Sequence, residues 1–231
     1  MPELLSCITL IICFFTILII VKFFGKNGLF AYSSVAVIAS NIQVLKLTKY
    51  STIDHPIALG TVLFSTLFAV DNILTEYFGA KTARKCVWIS FLCYLFFSLL
   101  MKIAILHPAI EYNKCINLHR ELEKIFSPCF IFFFSSLISY IFSQQTDIYI
   151  FSSLKKITKS KYVSLRSLIS MAISTFLDNF IFSFLVWTVF ADHPIDMPSL
   201  WNTYIFTTWI IRLIIAVACV PLVRLSGTLM H

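Results

Sequence analysis

The sequence predicts an all-α protein, a polytopic bundle of transmembrane helices that forms a single domain over residues 1–231. Of the 231 residues, 59% are hydrophobic and only 13% are charged, whereas soluble domains carry about 25% charged residues. The apolar residues occur in long runs, and most of the charged residues lie between those runs. This distribution is typical of a chain that crosses a membrane several times.

Seven apolar runs are long enough to cross a bilayer, because about 20 helical residues span the hydrocarbon core. They cover residues 4–21, 29–47, 56–77, 86–106, 128–154, 165–190 and 201–223. The first run does not have the pattern of a signal peptide, since no basic segment precedes it and no small-residue cleavage site follows it. The sequence therefore predicts seven spans.

Basic residues are divided unevenly between the segments that connect these runs. One set holds 11 Lys and Arg residues and no acidic residue: 22–28, 81–85, 155–166 and 224–231. The alternate set holds six Lys and Arg residues together with Asp54, Glu111, Glu121, Glu123, Asp192 and Asp196. Because Lys and Arg are enriched in cytoplasmic loops, we expect the N-terminus outside and the C-terminus in the cytoplasm.

Several other kinds of site are not expected. The charges lie between spans rather than along one basic face, which argues against nucleic-acid binding. The seven cysteines form no CxxC pair, and the histidines, His193 and His231 among them, show no HxxxH spacing, so neither disulfides nor a metal site is predicted. The charged segment 102–125 is predicted to hold a short surface helix with solvated charges.

Polar residues interrupt the fifth apolar run. At helical spacing Tyr140, Gln144, Asp147 and Phe151 fall on one face. An ionisable residue inside the bilayer costs about 2.5–3.5 kcal/mol and usually faces a cavity or the bundle interior. An amide and a carboxylate between two aromatic rings suit a flat, hydrogen-bonding heterocycle. A polar contact between packed helices is the alternative, and the stretch alone leaves both open.

Other predicted spans contain polar residues too: Asn41, Asp71, Asn72, Glu76, Asp178, Asn179 and Arg212. The ionisable groups deep in the predicted spans are three carboxylates, those of Asp71, Asp147 and Asp178, and one guanidinium, that of Arg212. Because unpaired charges are costly in hydrocarbon, the carboxylates are protonated, paired with Arg212 or neutralised by a bound cation. Each outcome indicates a polar cavity in the bundle.

Two assignments stay open at this stage. Glu76 lies within two helical turns of Lys81 and Arg84, so it belongs either to the membrane interface or to the interior. Ser170 and Ser174 share a helix face with Asp178, and we expect them to serve mainly as small residues that permit close helix packing.

A set of short motifs, in order along the chain, resembles the queuosine precursor transporter family, also called the vitamin uptake transporter family. The matching pieces are Phe24 to Leu29, Ala39 to Lys46, Ile73 to Gly79 with Ala83-Arg84, Ser143-Gln144 with Asp147 and Phe151, Leu165-Arg166, and Phe176 to Phe182. The resemblance covers most of the chain and assigns it six spans of the family type plus one extra N-terminal span.

The resemblance implies a bacterial inner-membrane importer of 7-deazaguanine bases, the precursors of the tRNA nucleoside queuosine. It implies no enzymatic activity and no cofactor, and its partners are the small-molecule substrate and the lipid bilayer; self-association is left open. Together with their depth in the spans, it makes these residues the candidate substrate-binding set: Asn41, Asp71, Asn72, Glu76, Tyr140, Gln144, Asp147, Asp178 and Arg212.

The chain departs from the family pattern at four positions. Asp71-Asn72 stands where the family usually has Thr-Asp, and Thr175 stands where it usually has Gln. The basic residue that the family often has early in the fifth helix is absent near Ile131, and Arg212 stands where Lys is common. Neighbouring helical residues point about 100° apart, so Asp71 and Asn72 cannot face the same cavity in a regular helix. We expect Asn72 to face the substrate and Asp71 to pair with a neighbouring helix; a one-residue register shift is the alternative.

Three functional classes are compared. A secondary importer is favoured, because no Walker A motif occurs and no ATPase subunit is expected. The alternative is the substrate-binding subunit of an energy-coupling-factor transporter, which works with a separate ATPase. An intramembrane enzyme with paired aspartates is disfavoured, because neither GxGD nor GxSxG occurs. The particular precursor, the nitrile, the aminomethyl base or queuine, and the coupling ion are left open.

Overall fold

The computed structural model describes residues 2–51, 57–108, 113–126, 130–191 and 194–229. Several residues named above lie outside these ranges: Asp54, Glu111, Asp192, His193 and His231. The described chain is almost wholly helical, apart from a short antiparallel pair, β1 (Leu47–Thr48) and β2 (Ile57–Ala58). This confirms the predicted all-α fold.

The helices follow one another with short connections. Those of the N-terminal half are α1 (Pro2–Gln43), α2 (Thr61–Ile73), α3 (Ala80–Leu106) and α4 (Asn113–Phe126). Those of the C-terminal half are α5 (Phe130–Ile157), α6 (Val163–Phe184), α7 (Met197–Ser199) and α8 (Thr207–Leu229). Three π-helical stretches, Leu74–Phe78, Leu185–Val189 and Leu200–Phe206, extend α2 and α6 and precede α8.

Helix α1 is two antiparallel segments that meet at Gly25. This residue has φ 56° and ψ −138°, a backbone conformation that glycine adopts at little cost. A Cβ on Gly28 would lie 2.4 Å from Cγ2 of Ile20, although eight residues of a straight helix would separate the two by about 12 Å. The chain therefore turns back on itself, and the apolar runs 4–21 and 29–47 form separate helices.

Four helices are long and apolar enough to cross a membrane, counted over the described residues: Pro2–Gln43, Ala80–Leu106, Val163–Val189 and Met197–Leu229. Helix α5 has 28 residues, but Gln144, Gln145 and Asp147 interrupt its apolar sequence. Helix α2 has 13 residues before its π-helical turn. The chain is thus a multi-pass membrane protein, and the number of seven spans stays a prediction.

Helix α2 lies at the centre of the bundle. Nearly every residue from Thr61 to Ile73 is buried, and α1, α3, α5, α6 and α8 all pack around it. Large apolar side chains such as Phe15, Phe23 and Ile214 are instead more than 60% exposed on the outside of the bundle. An apolar exterior around a more polar centre is the arrangement expected in a lipid bilayer.

The segment after α3 confirms the predicted surface helix. Helix α4 carries Glu121 and Lys124, which form an ion pair at 2.8 Å with both side chains more than 60% exposed.

Helix α7, near the C-terminal end of the sequence, begins with an N-terminal cap, in which Asp196 accepts a hydrogen bond from Ser199 N at 3.0 Å. That backbone hydrogen bond lowers the pKa of the Asp196 carboxyl.

Candidate functional site

The buried polar side chains form a column of four levels along α2, α5, α6 and α8. The first level, near the ends of α1 and α3, contains Asn41, whose Oδ1 accepts a hydrogen bond from Ser136 Oγ at 2.5 Å. The second contains Asp178 and Arg212, the third Asp147 with Asp71, and the fourth Glu76.

Asp178 and Arg212 form a buried ion pair between α6 and α8. Arg212 Nη1 donates to Asp178 Oδ2, and Ser143 Oγ of α5 donates to the other carboxylate oxygen at 3.1 Å. The guanidinium carbon of Arg212 also lies 5.5 Å from the centre of the Phe64 ring. Of the three outcomes considered for the buried carboxylates, pairing with Arg212 therefore holds for Asp178.

Two cavities lie on the Asn41 side of this ion pair. A small cavity of about 40 Å³ contacts Asp178, Arg212 and Asn41, which is room for about one water molecule. A larger cavity of about 390 Å³ lies between the ends of α1, α3 and α4 and is also lined by Asn41. Asn41 thus lines both cavities.

Asp147 lies at the third level and is fully buried. Ser170 and Ser174 of α6 face its carboxylate, but neither carboxylate oxygen has a hydrogen-bond partner among the described residues. Gln144, one turn away on α5, is fully buried too, and neither its amide nitrogen nor its oxygen is hydrogen-bonded within that part of the chain. Burying such groups without partners is costly, so this level has the properties of a site for a polar ligand.

Asp71 of α2 belongs to the same level. Its side chain is only 3% exposed, it lies close to Asp147, and Oδ2 has no hydrogen-bond partner within the described ranges. Two carboxylates therefore lie in one buried region where the described residues provide no hydrogen bond to Asp147 and none to Asp71 Oδ2.

Asn72 forms the polar contact to the neighbouring helix instead. Its Nδ2 donates to Ser167 Oγ at 3.1 Å, and its Oδ1 accepts from Ser170 Oγ at 3.3 Å. The expectation that Asp71 pairs with a neighbouring helix is therefore wrong, because the 100° offset directs Asn72 towards α6. Ser170 also does more than permit close packing, since its hydroxyl links α6 to α2.

The predicted face of α5 is buried as expected, with Tyr140, Gln144, Asp147 and Phe151 all at most 2% exposed. The two aromatic rings already have partners, however. The Tyr140 hydroxyl is 2.6 Å from Ser90 Oγ of α3, and Phe151 lies beneath the guanidinium of Arg166 at 5.1 Å. Both rings thus already make contacts within the bundle, on either side of Asp147 along α5.

Glu76, in the π-helical turn after α2, is paired with residues other than those considered from the sequence. Its carboxylate forms ion pairs with Arg166 Nη2 at 3.1 Å and with Lys155 Nζ at 3.3 Å. Lys81 and Arg84 had been the nearest basic residues along the chain. Glu76 thus forms ion pairs with the first turn of α6 and the last turn of α5, at the end of the bundle opposite Asn41.

Arg166 is the residue that sequence reasoning missed. It was counted with the basic loop 155–166, yet its side chain is only 1% exposed, because α6 begins at Val163 and directs it inward. Two signals were present in the sequence: its place in the Leu165-Arg166 motif, and its spacing of four and eight residues from Ser170 and Ser174.

No group of three His, Cys, Asp or Glu side chains close enough to hold a metal occurs in the described part of the chain. The cysteines described there, Cys7, Cys13, Cys86, Cys93 and Cys219, are free thiols.

The fold defines an integral membrane protein with a column of polar side chains in its interior. Residues 58–226 match the family described as "Putative vitamin uptake transporter". The chain is also 30% identical over 213 residues to a protein of Bacillus subtilis (strain 168) named "Probable queuosine precursor transporter", covering 91% of this chain and 88% of that protein. None of the solved structures gives a significant match. The chain belongs to the vitamin uptake transporter family, which confirms the resemblance.

Proposed function

We propose that this protein imports queuosine precursors, 7-deazaguanine bases, across the bacterial inner membrane. The name of the Bacillus subtilis relative supports this substrate class. The observation that carries the proposal is the third level of the polar column, where Asp147 and Gln144 are fully buried and lack hydrogen-bond partners within the described residues. A ligand with matching donors and acceptors would complete these contacts.

The chemistry of a 7-deazaguanine matches these groups. Its pyrimidine edge carries a ring N–H and an exocyclic amino group as adjacent donors, and one carboxylate accepts from both. Asp147 is the proposed acceptor, and the amide nitrogen of Gln144 donates to the neighbouring carbonyl oxygen. A site built around buried polar groups rejects analogues that leave them unpaired, by factors of about 10⁴ or more. Selectivity for the base thus follows from Asp147 and Gln144.

The proposed route begins at the Asn41 end of the bundle. Both cavities described above adjoin Asn41, and the charge distribution predicts that this end faces outward. A base that enters there would pass the Asp178–Arg212 ion pair before it reaches Asp147. The opposite end is held together by the ion pairs of Glu76.

Uptake in cells tests this proposal. The gene is expressed in a bacterial host that can neither make queuosine nor import its precursors, each precursor is supplied in the medium, and queuosine in tRNA is measured. We expect uptake with the wild type, loss with Asp147→Asn, and no change with Glu121→Gln, an exposed carboxylate on α4. No queuosine with any precursor, at normal membrane abundance, would refute the proposal.

The energy source distinguishes the two transporter classes. A secondary importer requires no ATPase subunit, so purification in mild detergent should yield this protein without one. Stable copurification of an ATPase module would instead favour the alternative, the substrate-binding subunit of an energy-coupling-factor transporter.

A further inference from the structure

We infer that Arg166 is a further ligand-binding residue beside Asp147 and Gln144, which donates a hydrogen bond to the carbonyl oxygen of the bound heterocycle. This inference rests on the proposed function and names a specificity-determining residue for the same site. The buried guanidinium, its unpartnered nitrogens and its place on the face of α6 that is turned to Asp147 support it.

The first observation is the hydrogen bonding of Arg166. Its Nη2 donates to Glu76 Oε1 at 3.1 Å and to Ser160 O at 3.4 Å. Nε and Nη1 have no hydrogen-bond partner in the part of the chain that the structure describes, although the side chain is 1% exposed. A guanidinium cannot lose its proton in a protein, so these buried N–H groups remain donors that require acceptors.

The second observation is the position of Arg166 relative to Asp147. On α6, Arg166 precedes Ser170 and Ser174 by four and eight residues, so all three share the face turned to Asp147. On α5, Phe151 follows Asp147 by four residues and lies beneath the guanidinium at 5.1 Å. Arg166 thus lies about one helical turn from Asp147 along α5, on the side of Glu76.

The third observation is the charge of the cluster around Glu76. One carboxylate is shared by two cations, Lys155 and Arg166, which leaves one positive charge in excess. The neighbouring level holds Asp147 and Asp71, whose carboxylates have no cationic partner among the described residues. The donors of Arg166 thus adjoin the acceptors of Asp147, as the neighbouring carbonyl oxygen and N–H donors on the pyrimidine edge of the base require.

This arrangement matches the bonding needs of the base. A carbonyl oxygen has two lone pairs and accepts two hydrogen bonds. Gln144 supplies one donor in the proposed function, and Arg166 supplies the second. The guanidinium's charge strengthens this hydrogen bond, since bonds to charged groups are about twice as strong as neutral ones.

A pair of ligands that differ only at the carbonyl tests the inference. 7-Deazaguanine and 7-deaza-6-thioguanine share both pyrimidine-edge donors, but sulfur is a weak acceptor. We expect purified wild-type protein, measured by isothermal titration calorimetry, to bind the oxygen compound more tightly. Arg166→Met should weaken its binding roughly 10- to 100-fold and remove most of the preference, and Arg166→Lys should reduce that preference, because it keeps the charge without the planar donors.

The controls separate ligand contact from structural support. Lys155→Met removes the other cation of the cluster and should keep the preference for the oxygen compound. Equal losses for both compounds in Arg166→Met and Arg166→Lys, with the preference intact, would show a purely structural role and overturn the inference. Wild-type protein that binds neither compound would refute the proposed function instead.

Discussion

Two buried aspartates in this bundle have opposite surroundings. Asp178 is neutralised by Arg212 and accepts a hydrogen bond from Ser143. Asp147 faces the hydroxyls of Ser170 and Ser174 and lies close to Asp71, and its oxygens lack hydrogen-bond partners among the described residues. A paired buried charge contributes to a folded network, whereas an unpaired one costs stability. On the proposed function, Asp178 belongs to the framework of the site and Asp147 binds the ligand.

The largest expected effect comes from breaking the paired site. Arg212→Ala leaves Asp178 buried without its counter-charge, and removing one partner of a buried pair costs about 3–5 kcal/mol. We expect low membrane abundance, a lower melting temperature and little transport. Arg212→Lys should keep part of each, because it retains the charge. Normal stability and uptake in Arg212→Ala would show that the ion pair contributes little.

The second prediction concerns the unpaired site. Asp147→Asn should reduce uptake roughly a hundredfold, because it removes hydrogen bonds between a charged group and the ligand. Its melting temperature should stay close to that of the wild type, since neither oxygen of the replaced carboxyl has a hydrogen-bond partner among the described residues. Asp178→Asn should reduce uptake too, but with a loss of stability, because Arg212 then loses its partner.

Asp196→Asn is the matched control for both aspartate variants. Asp196 caps α7 at the surface, and Asn caps a helix about as well as Asp. We therefore expect normal uptake and an unchanged melting temperature. Normal uptake in Asp147→Asn would remove Asp147 from the site.

Smaller changes in stability and uptake should distinguish the roles of Asp71 and Asn72. Asn72→Ala removes both hydrogen bonds to α6 and should cost about 1–2 kcal/mol of stability, with transport reduced only as far as abundance falls. Asp71→Asn should leave stability intact and reduce uptake at equal abundance, because Asp71 lies beside Asp147. A larger loss of uptake with Asn72→Ala at equal abundance would restore Asn72 as the substrate-facing residue.

The last prediction concerns the orientation in the membrane of the Asp178–Arg212 pair and of Asp147, and it does not depend on transport activity. Single cysteines replace Ser160 and Asn113 in a variant without accessible native cysteines, and intact cells are treated with a membrane-impermeant thiol reagent. The charge distribution predicts labelling at position 113 and protection at position 160. Labelling at both positions would contradict the predicted orientation.

Much of the fold could be predicted from the sequence, because the bilayer restricts which structures an apolar run can adopt. A run of about 20 apolar residues has to form a helix that satisfies its own backbone. This reasoning predicted an all-α bundle, the surface helix α4 and the buried face of α5. The turn at Gly25 lay between two predicted runs, although a glycine there does not by itself indicate its direction.

The partners of the polar residues were decided by the tertiary structure. Sequence spacing shows which residues share a helix face, but not which neighbouring helix meets that face. Asn72 rather than Asp71 contacts α6, and Glu76 pairs with Lys155 and Arg166 rather than with nearby Lys81 or Arg84. Arg166 was assigned to a loop by its basic neighbours and is buried by the start of α6. Ion pairs depend on distances of a few ångströms between helices far apart in sequence, and packing alone sets those distances.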